Sequence, residues 1–220
     1  MRESIPRLQP GDRLTRAEFE RRYRAMPGIK AELIEGVVHM PSPVRYARHG
    51  KPHLILATWL GTYASLTPGI EHYGDNTTVR LDEDNEPQPD LFMLLPPHLG
   101  GLAHVDQDDY IVGPPTLAIE VAASSVSIDL HDKKNAYRRN GVREYLVWRV
   151  EDDAVDWFAL HESRFDPIPA PDGVLQSRAF PGLSLHVPHL LQQNVSELLK
   201  HLTDACKSAE HDAFTSRLRQ

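Results

Sequence analysis

Two stretches, Pro89-Asp90-Leu91-Phe92-Met93-Leu94-Leu95 and Thr116-Leu117-Ala118-Ile119-Glu120-Val121-Ala122, decide how this chain folds. Each is an apolar run of strand length that carries one carboxylate, Asp90 at the head of the first and Glu120 inside the second. An unpaired charge in an apolar setting costs several kcal/mol or more. Two of them on neighbouring strands repel unless a cation or a proton lies between them. A hard divalent ion held by oxygen ligands meets that need and points to hydrolytic or phosphoryl chemistry. Alternatively, each acid closes its strand beside an arginine, and spacing alone does not separate the two.

Around these runs, 220 residues suffice for one domain with a substantial core. We place it at residues 1–200, with 201–220 as a polar tail whose last ~15 residues are expected to fray. The single cysteine, Cys206, falls in that tail and excludes a disulfide framework or a cysteine-rich zinc site. Met1-Arg2-Glu3-Ser4-Ile5-Pro6-Arg7 lacks the apolar segment of a secretory leader, and no run is long enough to span a bilayer. The expected location is the cytoplasm, with no membrane partner. A formal net charge of -7 argues against broad nonspecific binding of nucleic acid. A local patch can still hold phosphate, and Lys133, Lys134, Arg138, Arg139 and Arg143 are clustered.

The remaining elements follow from pattern. Thr15-Arg16-Ala17-Glu18 fits a capping box, with Leu14 and Phe19 as its staple, opening a helix to about Ala25. Ala31 to Met40 fits a hairpin turning at Glu35-Gly36 and ended by Pro41-Ser42-Pro43. His53 to Leu66 has helical spacing, with Leu54, Leu56, Ala57, Leu60 and Ala64 as the buried face. Gly69 to Leu81 gives one or two strands, and Asp82-Glu83-Asp84-Asn85-Glu86 a solvated turn. Pro96 to Pro115 is a long loop, of a length usually functional or mobile, here expected as a flap over a substrate. Asp129 to Asn140 is a helix closed by Gly141. Tyr145 to Trp148 and Ala154 to Leu160 form a strand pair, further strands fill Val174 to Val187, and Asn194 caps a final helix. Helices flanking a mixed sheet indicate an α/β or α+β fold.

The helix from Asp129 carries a third chemical element. Leu130 and Tyr137 share the face that should pack on the sheet, and Lys133 lies one turn before Tyr137 on its edge. From there it could point along the sheet toward the carboxylates, to position a water or stabilise charge on a phosphorane-like transition state. The plainer alternative is a lysine paired with Asp129 at i, i+4. Lys134 is its rival on the other edge.

These segments carry a resemblance to a known family. Glu32-Leu33-Ile34-Glu35-Gly36, Pro41-Ser42-Pro43 followed by His49, Pro89-Asp90-Leu91, Leu117-Ala118-Ile119-Glu120-Val121, Asp129 with Lys133 and Tyr137, and Gly141-Val142-Arg143-Glu144-Tyr145 occur in its order. The chain resembles, from about Thr15 to Leu185, the Uma family of the PD-(D/E)XK nuclease superfamily, a family that occurs in many copies in cyanobacteria and other bacteria. The resemblance implies a restriction-endonuclease-like core: a central mixed sheet flanked by helices, with a Mg²⁺ or Mn²⁺ site. It implies Asp90 and Glu120 as metal ligands and Glu32 as an acid completing the pocket. The superfamily lysine normally lies two residues after the second acid, where this chain has Ala122; the Uma pattern moves it onto the following helix, where Lys133 fits. Ala123-Ser124 stands where relatives have a Ser-Pro turn. The implied activity is metal-dependent endonucleolytic hydrolysis of nucleic acid, DNA first, with a homodimer as a further expectation. His49, Lys134, Arg138 and Arg139 are the expected substrate contacts.

Rival chemistries are weaker. His49 and His53 have the i, i+4 spacing of zinc ligands, but Pro52 lies between them and no Glu follows His49 as in a zincin. The Asp82 to Glu86 run lacks the glycine and terminal Glu of a calcium loop. Ser124, Ser125 and Ser127 have no nucleophile-elbow context. A catalytically inactive nucleic-acid-binding or protein-interaction module on the same fold remains the alternative.

Overall fold

The computed structural model describes residues 5–40, 46–74 and 77–220. In chain order these form α1 (Arg16–Arg24), the hairpin β1 (Glu32–Ile34) and β2 (Val37–His39), a π-helical turn (Tyr46–Gly50) and α2 (Lys51–Leu66). Then come β3 (Glu71–Gly74), β4 (Val79–Arg80), β5 (Leu91–Leu94), β6 (His104–Val105), β7 (Ile111–Val112) and β8 (Leu117–Ala122). A second π-helical turn (Ile128–Lys133) leads into α3 (Lys134–Asn140), followed by β9 (Glu144–Arg149), β10 (Ala154–His161) and β11 (Arg164–Pro167). The chain continues with β12 (Val174–Gln176), β13 (Ser184–His186), α4 (Val187–Leu191), α5 (Val195–Ala205) and α6 (Ala209–Leu218).

Among the described residues, six strands make the central sheet, in the order β11-β10-β9-β8-β5-β3. Only β8 and β9 run parallel in it, so the chain must cross over between them, and the π turn with α3 forms that crossover. Alternation along the strands gives the sheet two dressed faces. Leu117, Ile119 and Val121 of β8, with Leu91 and Met93 of β5, pack against α2, α5 and α6. Ala118 and Ala122 face the other way, toward Tyr137, Val142 and Tyr145. Buried β-strands on both sides explain why these runs read as near-continuous apolar segments.

Several expectations are corrected. The buried face of α2 is Pro52, Ile55, Leu56, Trp59, Leu60 and Tyr63, while Leu54 is 65% exposed. Burying two aromatic rings against the sheet outweighs exposing one leucine, since large side chains gain the most from burial. Residues 201–220 are not a fraying tail: α5 extends to Ala205 and α6 buries His211, Phe214 and Leu218. Cys206 is buried too, its Sγ 3.6 Å from the Gly182 carbonyl. The Pro96 to Pro115 stretch is tied down, because β6 and β7 pair with β4 in a small sheet. The Asp82 to Glu86 turn is solvated only at its start: Asn85 and Glu86 are buried, and the Asn85 side chain accepts from the Glu35 amide. Thr15 precedes α1 without a side-chain capping bond, and the Glu18 carboxylate, the other half of the expected box, is held instead by Arg21 at 2.7 Å and Arg22 at 2.6 Å. The Pro41-Ser42-Pro43 motif lies outside the described residues. Among the described residues, no helix is long and apolar enough to cross a membrane.

Candidate active site

The antiparallel pairing of β5 and β8 sets Leu91 opposite Ile119, Phe92 opposite Ala118 and Met93 opposite Leu117. One step further along the same register, Asp90 lies opposite Glu120. Directly opposed residues share a face, so both carboxylates project on the α3 side. Both are buried, at 7% and 3% exposure. Asp90 is fixed by the Val121 amide, which donates to Oδ2 at 2.7 Å, and by His49, whose Nε2 lies 3.3 Å from the carboxylate. His53, one turn on, reaches the Asp90 carbonyl at 3.2 Å.

Lys133 sits in the middle of the acids. Its Nζ donates to Glu120 Oε1 at 3.1 Å, lies 3.0 Å from Glu32 Oε1 and 3.8 Å from Asp129 Oδ1, and is buried. The π turn delivers it: the widened turn places Asp129 and Lys133 both inward, and such bulges recur at functional sites. Glu32 comes from β1, where Leu33 bridges to Glu86, and its Oε1 also accepts from the Gln88 amide at 2.6 Å. Tyr137, one turn after Lys133, donates from Oη to the same Glu120 oxygen at 3.1 Å. Neither bond to Glu120 uses Oε2.

The cluster therefore holds four carboxylates, Glu32, Asp90, Glu120 and Asp129, against one buried ammonium. Burial pushes Glu120 well above the usual carboxylate range, and Asp90, Asp129 and Glu32 push it further, with Lys133 pulling the other way. Burial opposes the charge on Lys133, yet Glu120, Glu32 and Asp129 outweigh it and hold the ammonium charged well past its ordinary range. Asp90 moves in the opposite direction: burial would raise it, but His49, the Val121 amide and Lys133 hold it below the usual value. Two neighbouring acids driven apart in this way is a common arrangement in acid–base sites.

The donor chemistry fits a hard divalent ion. All four acids offer oxygens, and their surplus negative charge is what such an ion neutralises. Among the described residues, no three His, Cys, Asp or Glu side chains are grouped to hold a metal by themselves. Mg²⁺ does not require three, since it is commonly bound through one or two carboxylates with waters and substrate phosphates completing its shell.

Residues 16–188 match the model of the family described as "Uma2: Putative restriction endonuclease". The chain belongs to the Uma2 family. Among solved structures it is similar to the crystal structure of a "putative nuclease belonging to DUF820" from Anabaena variabilis, with a TM-score of 0.52 at 12% identity. That match covers 83% of this chain and 97% of the other, and at such identity it speaks for the fold, a mixed sheet flanked by helices. No curated protein matches the sequence.

In this Uma2 chain the structure gathers Glu32, Asp90, Glu120, Lys133 and His49, but not the basic residues expected to hold substrate. Lys134 points away from the acids and lies over the Phe158 ring at 3.4 Å, where burial lowers its pKa. Arg138 donates to the Ser163 carbonyl and to Asn135, and Arg139 is 3.1 Å from Glu35 and 3.7 Å from Asp82. Asp129 and Tyr137 match the family pattern in the sequence but carry no site role there. Asp129 is the i, i+4 partner of Lys133, and here Lys133 has that partner and two others. Tyr137 reads as packing, although a buried phenol needs a hydrogen-bond acceptor and that need is the available signal.

Proposed function

We propose that this protein hydrolyses phosphodiester bonds in nucleic acid, DNA first, with Mg²⁺ or Mn²⁺ held by Asp90 and Glu120. One observation carries this reading: a buried lysine lies within hydrogen-bond distance of Glu120, the acid that faces Asp90 across paired strands. A divalent ion held by those carboxylates would polarise a phosphoryl oxygen and make a water more acidic. The chain's own residues do the rest. Lys133, kept cationic by Glu32 and Asp129, brings positive charge to the negative charge that develops on the phosphoryl group. Glu32 and Asp129 fix its position, so no reorganisation is needed at the moment of reaction. Tyr137 holds the Glu120 carboxylate, and His49 with the Val121 amide holds Asp90.

A second reading makes Lys133 the permanent counter-ion of an inactive binding module, and it is favoured by the lack, among the described residues, of a three-ligand group. The two part on a simple experiment. Purified protein is incubated with plasmid, single-stranded DNA and RNA over a range of Mg²⁺ and Mn²⁺, with Asp90→Ala as control. The nuclease reading expects metal-dependent cleavage of at least one substrate that the variant lacks. Identical behaviour of the two proteins on every substrate, without metal binding, leaves the binding module.

A further inference from the structure

A polyanion approaching four buried carboxylates is repelled, so a phosphodiester can reach them only where cations line the approach. Of the α3 cations, Lys134 lies over Phe158, Arg138 bonds Ser163 and Asn135, and Arg139 pairs with Glu35 and Asp82, so none contacts Asp90 and the need remains. The π turn before α2 and the first residues of α2 meet it. Within six residues this segment carries Arg48, His49, Lys51 and His53. His49 and His53 stack, with ring centroids 5.8 Å apart, and both contact Asp90 directly. The segment thus borders the acid cluster.

Its reach along the sheet is fixed by a second contact. Arg48 Nη1 lies 2.7 Å from Glu151, in the turn that follows β9. Because β8 and β9 run parallel and β5 runs antiparallel to β8, the start of β5 and the ends of β8 and β9 form one rim. The π turn spans that rim from Asp90 to Glu151. The Arg48–Glu151 pair is exposed on both sides, 57% and 45%, and such pairs contribute little and exchange readily for a phosphate. Lys51 is exposed, and its ammonium has no partner among the described residues.

We propose that Arg48, His49, Lys51 and His53 form the phosphate-binding rim of the site and hold the sugar–phosphate backbone of nucleic acid against Asp90; this rests on the nuclease reading. Contacts to phosphate from such a rim are independent of sequence, and each cation that replaces counterions adds about one to the salt dependence of binding.

The test measures fluorescence anisotropy of a labelled DNA duplex with the full chain in EDTA, across a series of salt concentrations. Arg48→Gln/Lys51→Gln removes two exposed cations without entering the core. Lys200→Gln/Lys207→Gln removes the same charge from α5 and the turn that follows it, where both lysines are exposed. The first variant is expected to lower the slope of log K against log salt by about two, the second to leave it unchanged. Glu151→Gln, which frees Arg48, is expected to tighten binding. Equal slopes for wild type and Arg48→Gln/Lys51→Gln, or equal losses in both double variants, overturn the rim. If wild type cleaves DNA yet the rim variant binds as well as it does, only this inference falls; if wild type neither binds nor cleaves, the nuclease reading falls with it.

Discussion

Replacing Lys133 by Met keeps the apolar stem and deletes the ammonium, so it isolates what that charge does. At 3.0, 3.1 and 3.8 Å, Nζ attracts Glu32, Glu120 and Asp129. With an effective dielectric of about 20, each pair amounts to roughly 4–6 kcal/mol of gross attraction. Desolvation of the ammonium and repulsion among the acids cancel much of this. What remains when one partner of a buried pair is removed is about 3–5 kcal/mol, because the other partner is left buried and uncompensated. We therefore expect Lys133→Met to lose about that much stability at pH 7.5 in urea unfolding followed by circular dichroism. The loss should shrink at pH 5, where the orphaned acids can protonate. Glu120→Gln should behave differently, since removing one acid from a four-to-one cluster reduces the surplus charge. It is expected to be near neutral or stabilising, and to recover part of the loss when combined with Lys133→Met. A Lys133→Met protein within about 1 kcal/mol of wild type at both pH values, well short of the expected loss, would refute the reasoning.

Two further outcomes follow from other contacts. Tyr137→Phe removes the bond to Glu120 but keeps the ring between the sheet and α3, so it should cost about 0.5–1.5 kcal/mol and weaken divalent-ion binding; unchanged affinity in calorimetry would show that Tyr137 does not position Glu120. Glu86, buried beside Glu20, is pushed up to about 8 by burial first and by Glu20 second. The folded state then holds a proton that the unfolded chain releases near pH 4.5, so stability falls as pH rises from about 5 to 8. Glu86→Gln should flatten that fall in melting temperature, and a parallel pH profile would contradict it.

The parts of the fold that sequence made legible are those in which one feature dominates. Two strands advertised themselves because a carboxylate in an apolar run is costly, and Gly141 announced the end of α3 by a backbone angle, φ 85°, that other residues rarely adopt. Lys133 was readable through its offset from Tyr137. Elsewhere the signal lay in partners. On α2, apolar spacing favours Leu54, whereas the buried face is set by Trp59 and Tyr63. His211, Phe214 and Leu218 carry helical spacing, but His211 reads as polar until Thr67 appears 2.9 Å from its ring. β6 and β7, two residues each, are too short for any periodicity to register. Whether a surface cation is already paired depends on residues distant in sequence, so the partners of Arg138, Arg139 and Arg48 are legible only in the fold.

Calorimetric titration of the wild-type protein and of Asp90→Ala with Mn²⁺ tests the central claim most directly. If Asp90 and Glu120 form a divalent-ion site, the wild type takes up the ion and the variant does not, while both remain folded. Equal uptake by the two proteins, or none by either, would contradict it.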